Sequence, residues 1–313
     1  MEIWILYDKA DYALYPYSSP AVNRLWETAE ERGITISVVA PQQVGIIIDG
    51  NDHVVLVDGE RVAIPDFVLT RMGAHIKYAG RACLRQLESL CVRVVNSSEG
   101  LDIVTDKLFT LQILNQHGLP VPKTMLLQFP VDFDLVEQYF GFPLILKVVK
   151  GNKGQGVMLV ESRERLEDLV EFIHSTSAAP DIILQEFITT SKGRDVRVFV
   201  VGQQVVACME RHARPGGFKA NFHEGGTVES ISVTPEIEEL AFECAELLKI
   251  DIFGLDLLFG ETGFIICEVN GSPGWEGLEL ANPGLRVADI IYDYIENQIR
   301  TPFLAKHVQM LET

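Results

Sequence analysis

Residues 253–274 run F-G-L-D-L-L-F-G-E-T-G-F-I-I-C-E-V-N-G-S-P-G. Two apolar stretches, 253–259 and 263–269, flank a Gly-Glu-Thr-Gly turn at 260–263, and together they read as a β-hairpin. Glu268 and Asn270 are two residues apart on the second strand and so project from one face, with Asp256 opposite them on the first. Three hard oxygen donors without histidine or thiolate suit Mg2+ or Mn2+, which fill their other positions with water and phosphate oxygens. Leu255, Leu257, Leu258, Ile265, Ile266 and Val269 flank the trio, so two carboxylates here are costly to bury unless a cation compensates them. The competing reading leaves them solvated on a half-exposed hairpin.

Outward from this hairpin the chain alternates strands and helices. Upstream lie β-patterned segments at 196–201 and 204–209 and a helix over 235–248; downstream a last helix covers 287–300, and the remaining residues lie on the surface or fray. Before these come a strand at 142–148, a glycine-rich loop, a strand at 156–160, a helix at 163–174 and a strand at 182–187. An amphipathic helix over 103–117 is closed by Gly118, and Pro120 and Pro122 forbid its continuation. Residues 1–100 show the βαβ rhythm of a parallel sheet: strands at 3–7, 34–40, 67–69 and 93–96, helices at 21–32 and 78–90. The polar run Asn96-Ser97-Ser98-Glu99-Gly100 marks a boundary. The expectation is an α/β domain over 1–98 followed by two α+β units, 99–183 and 184–313. No internal repeat is found.

Composition bounds the function. The chain has 313 residues, 47% hydrophobic and 22% charged, which excludes disordered and fibrous classes. Acidic residues number 44 against 26 basic, a net charge of −18, so the far field repels nucleic acid and anionic membranes. Five scattered cysteines without a C-x-x-C pair read as reduced thiols. The N-terminus lacks the basic flank of a signal peptide and no apolar run reaches membrane-spanning length, so the expected location is cytoplasmic. No G-x-G-x-x-G, G-x-x-x-x-G-K-[ST], H-E-x-x-H or G-x-S-x-G occurs, which removes the dinucleotide, Walker-loop, zinc-peptidase and serine-hydrolase readings.

Three further motifs carry chemistry. Lys147 interrupts an apolar strand and leads into K-V-V-K-G-N-K-G-Q-G, where Gly151, Gly154 and Gly156 let backbone N–H groups approach phosphate oxygens; a flexible hairpin with solvated lysines is the bland alternative. Gln185-Glu186-Phe187-Ile188 precedes G-R-D-V-R at 193–197, an arrangement that presents a carboxylate and backbone amides to an adenine and its ribose, or is simply an edge crossover. Glu210-Arg211-His212-Ala213-Arg214 through Lys219-Ala220-Asn221 concentrates cations within an acidic protein, where an anionic group is neutralised, unless it is a mobile basic loop.

In order and spacing, Asp106-Lys107, Lys147, the glycine loop, Q-E-F-I, G-R-D-V-R, E-R-H-A, K-A-N and D…E-V-N-G-S-P-G resemble the ATP-grasp ligases of the RimK type, the ATP-dependent glutamate ligases. The resemblance implies an ATP-grasp fold: a pre-ATP-grasp domain, then two α+β subdomains that clasp ATP. It implies ATP contacts from Lys107, Lys147, Gly151, Gly154, Gly156, Glu186, Phe187, Ile188, Asp195, Lys219, Ala220 and Asn221. It further implies two Mg2+ ions, replaceable by Mn2+, on Asp256, Glu268 and Asn270, and Arg211 as the catalytic cation on the transferred phosphoryl group. The implied reaction is attack of a carboxylate on the γ-phosphate to give an acyl phosphate, which an amine converts to an amide with release of ADP and phosphate. The implied partners are glutamate, or a similar amino acid, and a carboxylate-bearing peptide, protein C-terminus or metabolite; the family also suggests a homo-oligomer. The chain departs from the family pattern at Phe109 and Lys219, where arginines are usual, and at His212, and these positions bear on the choice of amino acid. Two alternatives keep the fold: a ligase for another amino acid or for a carrier-protein or coenzyme substrate, and a non-catalytic nucleotide-binding module.

Overall fold

The computed structural model describes residues 1–7, 15–49, 52–73, 76–149, 156–175, 181–220 and 225–300. The first unit contains β1 (Glu2–Leu6), α1 (Pro20–Arg32), β2 (Thr35–Val39), β3 (Val44–Asp49), β4 (Asp52–Val57), β5 (Glu60–Arg61), β6 (Phe67–Thr70), α2 (Tyr78–Ser89) and β7 (Arg93–Val95). Its main sheet is parallel, in the order β2-β1-β6-β7. Period-two alternation splits β1 between two cores: Ile3 and Ile5 join the α1 side, Trp4 and Leu6 the α2 side. Helix α1 starts where Ser19 accepts from the Val22 N–H and Pro20 enters the first turn, and it stops at Gly33 with φ of 65°. The βαβ reading of this unit holds, but it passed over the antiparallel β3-β4-β5 sheet.

The expected single helix at 103–117 is two: α3 (Ser98–Thr105) and α4 (Lys107–Gln116). Asp106 is non-helical and its Oδ1 accepts from the Phe109 N–H at 3.0 Å, so it caps the second helix. The break sets Lys107 at the first position of α4.

A four-stranded sheet in the order β10-β9-β11-β8 follows, built from β8 (Thr124–Leu126), β9 (Leu144–Val148), β10 (Val157–Val160) and β11 (Ile182–Glu186), with α5 (Phe133–Phe140) and α6 (Arg163–His174). Leu144, Leu146, Val160, Ile182 and Leu184 form its own core with Leu166 and Val170 of α6. The last unit is a five-stranded sheet, β14-β13-β12-β15-β16, from β12 (Arg194–Val201), β13 (Gln204–His212), β14 (Thr227–Ile231), β15 (Ile252–Phe259) and β16 (Phe264–Asn270). Helix α7 (Pro235–Leu248) covers one face of it; α8 (Glu276–Ala281) and α9 (Val287–Arg300) cover the other.

The first and last units share their cores. Trp4, Val68 and Leu84 belong to one apolar cluster with Val198, Leu240 and Phe253, and Ile5 and Leu25 to another with Phe199, Ile291 and Tyr292. Leu101, Val104 and Leu114 of α3 and α4 pack into the first of these. Asn96, 1% exposed, ties the junction: its Nδ2 donates to the Ile252 and Gly271 carbonyls, and its Oδ1 accepts from the Asp251 and Ile252 N–H groups. Among the described residues no helix is long and apolar enough to cross a membrane.

Candidate active site

The hairpin read from the sequence is present, and its register sets the site. Asp256 pairs with Glu268, and Gly254 with Asn270. A β-bulge lies at this point, because the next pair is Leu257 with Ile266, which leaves Cys267 as the extra residue. Ile266 and Val269 therefore enter the core while Cys267, Glu268 and Asn270 all line a cavity of about 320 Å3.

That cavity lies between two sheets. On the central sheet the strand alternation that buries Leu144 and Leu146 turns Ile145 and Lys147 toward the cavity, which accounts for a lysine within an apolar strand. The five-stranded sheet answers with a row across neighbouring strands, Met209, Arg197, Asp256 and Glu268, and with the cross-strand pair Asp195 and Arg211. Lys147 Nζ reaches Cys267 Sγ at 3.6 Å, joining the two walls. Glu186, Phe187, Ile188, Lys219 and Ala220 also line the cavity, and Gly73, Ser272, Gly274 and Glu276 close a further side. The Glu186 carboxylate accepts from the Lys123 N–H at 2.7 Å.

The charged groups form a buried network. Arg211 Nε and Nη2 lie 2.6 and 2.8 Å from the two oxygens of Asp195, and Nη2 is also 3.0 Å from Asp256 Oδ2. Arg197 forks onto Asp256 with Nε and with Nη2, the latter at 2.9 Å. Burial opposes the charge of Asp256, but the Arg197 and Arg211 guanidinium groups outweigh it and hold the carboxyl down at about 2. Burial pushes Asp195 up to about 6, with Arg211 pulling the other way. Burial also works against the charge of Arg211, yet Asp256 and Asp195 raise its pKa above the ordinary arginine value.

Lys107 lines a smaller adjoining recess with Thr105 and Asn270 rather than the main cavity, its Nζ 3.5 Å from Glu268 Oε1. Gly156, next to the cavity-lining Val157, has φ of 74°, and a Cβ there would meet Val148 Cγ2 at 2.8 Å, so both conformation and space call for glycine. Gly151, Gly154 and Asn221 lie outside the described residues. His212, expected to bear on the choice of amino acid, does not line the cavity and pairs instead with Glu229 at 2.9 Å. Arg197 was not singled out from the sequence; its spacing of two from Asp195 on one strand was the available signal.

Asp256, Glu268 and Asn270 present oxygens on one side of the hairpin, and burial pushes the Cys267 thiol up, so the donor set is hard and thiolate-free. This chemistry fits Mg2+ or Mn2+. The cation expected to compensate Asp256 is supplemented by protein: two arginines already share its charge.

Residues 104–295 match the RimK-like ATP-grasp domain and residues 1–101 the RimK PreATP-grasp domain. A probable alpha-L-glutamate ligase 1 of Shewanella frigidimarina (strain NCIMB 400) is 36% identical over 282 residues, covering 90% of this chain and 93% of that one. The crystal structure of a RimK domain protein ATP-grasp from Sphaerobacter thermophilus superposes with a TM-score of 0.71 at 21% identity, covering 94% of this chain and 99% of that one. The ATP-grasp ligase PsnB, complexed with a phosphomimetic variant of its minimal precursor, Mg and ADP, also has a TM-score of 0.71 at 21% identity, with 94% and 98% covered. With the fold shared and the match running through both domains, the chain belongs to the RimK-like ATP-grasp family.

Proposed function

We propose that this chain is an ATP-dependent carboxylate–amine ligase that adds glutamate to the carboxylate of a peptide, protein C-terminus or small metabolite. The observation that carries the reading is the facing of Lys147 on one sheet and Arg211, Asp256, Glu268 and Asn270 on the other across a single cavity. Its relatives named as alpha-L-glutamate ligases support the amino acid.

In this reading Glu186, Phe187 and Ile188 receive the adenine and ribose. Lys147, Lys107, Lys219, Ala220, Asn221 and the loop glycines Gly151, Gly154 and Gly156 cradle the phosphates, the loop excluding water from the acyl phosphate. Asp256, Glu268 and Asn270 would hold two Mg2+ ions, or Mn2+, which when bound neutralise charge on the phosphate oxygens. Arg211 stabilises the transferred phosphoryl group, and Asp195 holds its guanidinium at a fixed angle. The acceptor carboxylate attacks the γ-phosphorus and the bond to ADP breaks; the glutamate amine then attacks the acyl carbon, loses a proton and expels phosphate. The proposed division is 1–98, 99–183 and 184–313, with the first unit contributing to the substrate side; its second boundary falls within β11, all of which pairs in the central sheet. A cytoplasmic homo-oligomer completes the reading.

Incubation with Mg-ATP, an acidic peptide and each amino acid in turn, reading ADP release and product mass, tests it. ADP formation with a glutamate-sized mass increment is expected. Turnover only with another amino acid overturns the glutamate assignment, and tight ATP binding without turnover on any acceptor favours the non-catalytic module.

A further inference from the structure

The parallel sheet of the first unit reverses its order beside β1: the chain passes from β1 to β2 on one side and later enters β6 on the other. Such a reversal opens a crevice at the carboxyl ends of the two strands, the usual ligand position in open α/β sheets. Arg71 follows β6 at that point, and its backbone N–H donates to the Leu6 carbonyl at the end of β1 at 2.8 Å. Its side chain is buried, with 7% of the residue exposed. Nη2 donates to the Pro273 carbonyl at 2.7 Å, and the guanidinium carbon lies 4.9 Å from the centre of the Trp275 ring. Nε is buried without a hydrogen-bond partner among the described residues.

The contrast with Arg197 and Arg211 is direct. Each of those buried arginines forks onto a carboxylate, whereas no carboxylate lies within ion-pair distance of Arg71 among the described residues. Glu276, on the cavity wall, acts on Arg71 only at longer range, and burial lowers the guanidinium to about 10. A buried cation without a paired anion is unfavourable, and a guanidinium edge matches a carboxylate in shape and charge. Pro273, whose carbonyl Arg71 holds, stands between Ser272 and Gly274 of the cavity wall, and Ser272 Oγ donates to the Met72 carbonyl at 2.6 Å, so Arg71 lies one contact away from the cavity lining.

We propose that Arg71 is a specificity-determining residue that pairs with a carboxylate of the amino-acid substrate at the junction of the first and last units. The inference rests on the ligase reading above. Replacing a charge-assisted pair at such a site costs at least about tenfold in affinity. In full-length protein, Arg71→Met is expected to raise the KM for the amino acid by at least about tenfold and to leave ATP affinity within about twofold, with Arg71→Lys intermediate.

Glutamate analogues in which either the α-carboxylate or the side-chain carboxylate is an amide separate recognition from packing. Wild type should discriminate at least about tenfold against one amide, and Arg71→Met should not discriminate. Persistence of that discrimination in Arg71→Met overturns the inference. Calorimetric titration of the acid and both amides into wild-type protein loaded with a non-hydrolysable ATP analogue reads the same point without turnover or a variant. Equal binding of all three overturns the role of Arg71, whereas selective binding of the acid without ligation counts against the ligase reading alone.

Discussion

Arg197 and Asp256 are cross-strand partners on β12 and β15, and the guanidinium closes a two-pronged ion pair on the carboxylate within the wall of the active-site cavity. The pair explains how an aspartate survives between Leu255 and Leu257, both fully buried. Asp256 is thus part of the protein's own electrostatic framework, and Glu268, its neighbour across the hairpin, is the more exposed of the two carboxylates. Substitutions at these two positions should therefore separate stability from activity.

Glu268→Ala is expected to lower ligation at least about 100-fold while changing unfolding free energy by less than about 0.5 kcal/mol. Asp256→Ala should lower activity as far and also destabilise the fold by about 3–5 kcal/mol, because it leaves the buried Arg197 guanidinium without its carboxylate and takes one of two carboxylate partners from Arg211. ADP-release assays beside urea denaturation check both. Equal stability losses in the two variants would contradict the framework role of Asp256.

Asn96 makes four side-chain hydrogen bonds across the junction of the first and last units. Asn96→Ala leaves buried backbone groups of Asp251, Ile252 and Gly271 without partners, and a loss of about 3–5 kcal/mol in chemical denaturation is expected from several such groups. A loss under about 1 kcal/mol would show that the backbone groups find other partners.

Gly156→Ala meets a left-handed backbone and Val148 at once. A cost of about 1–3 kcal/mol is expected, and the double variant with Val148→Ala should recover only the steric part, because the conformational part of about 1–2 kcal/mol remains. Full recovery in the double variant would assign the whole effect to the clash.

Asp195 governs a pH dependence. Its carboxyl is raised to about 6 when folded, against an unfolded value near 3.9. The folded protein keeps a proton that the unfolded chain has released, so this group's stabilisation is complete below pH of about 4 and is lost as pH rises through about 6. At about 1.4 kcal/mol per pH unit the loss is about 3 kcal/mol. Asp195→Asn cannot ionise, so its stability relative to wild type should climb between pH 4 and 7 in denaturation measured at stepped pH. A difference that stays flat over that range would contradict the raised value.

The sequence by itself determined the strand and helix order, the hairpin that sets Asp256 against Glu268, and the family, because period-two alternation, turn glycines and motif spacing are local properties of the chain. The same local logic failed at Asp106, where a capping side chain splits one amphipathic pattern into two helices. Tertiary structure alone decided that Arg197 and Arg211 share the charge of Asp256, that a bulge turns Cys267 into the cavity beside Glu268, and that the polar Asn96 is a buried tie between units. These depend on strand register and on contacts between residues as far apart as Asn96 and Ile252, and hydropathy carries no information about which distant partner satisfies a buried polar group.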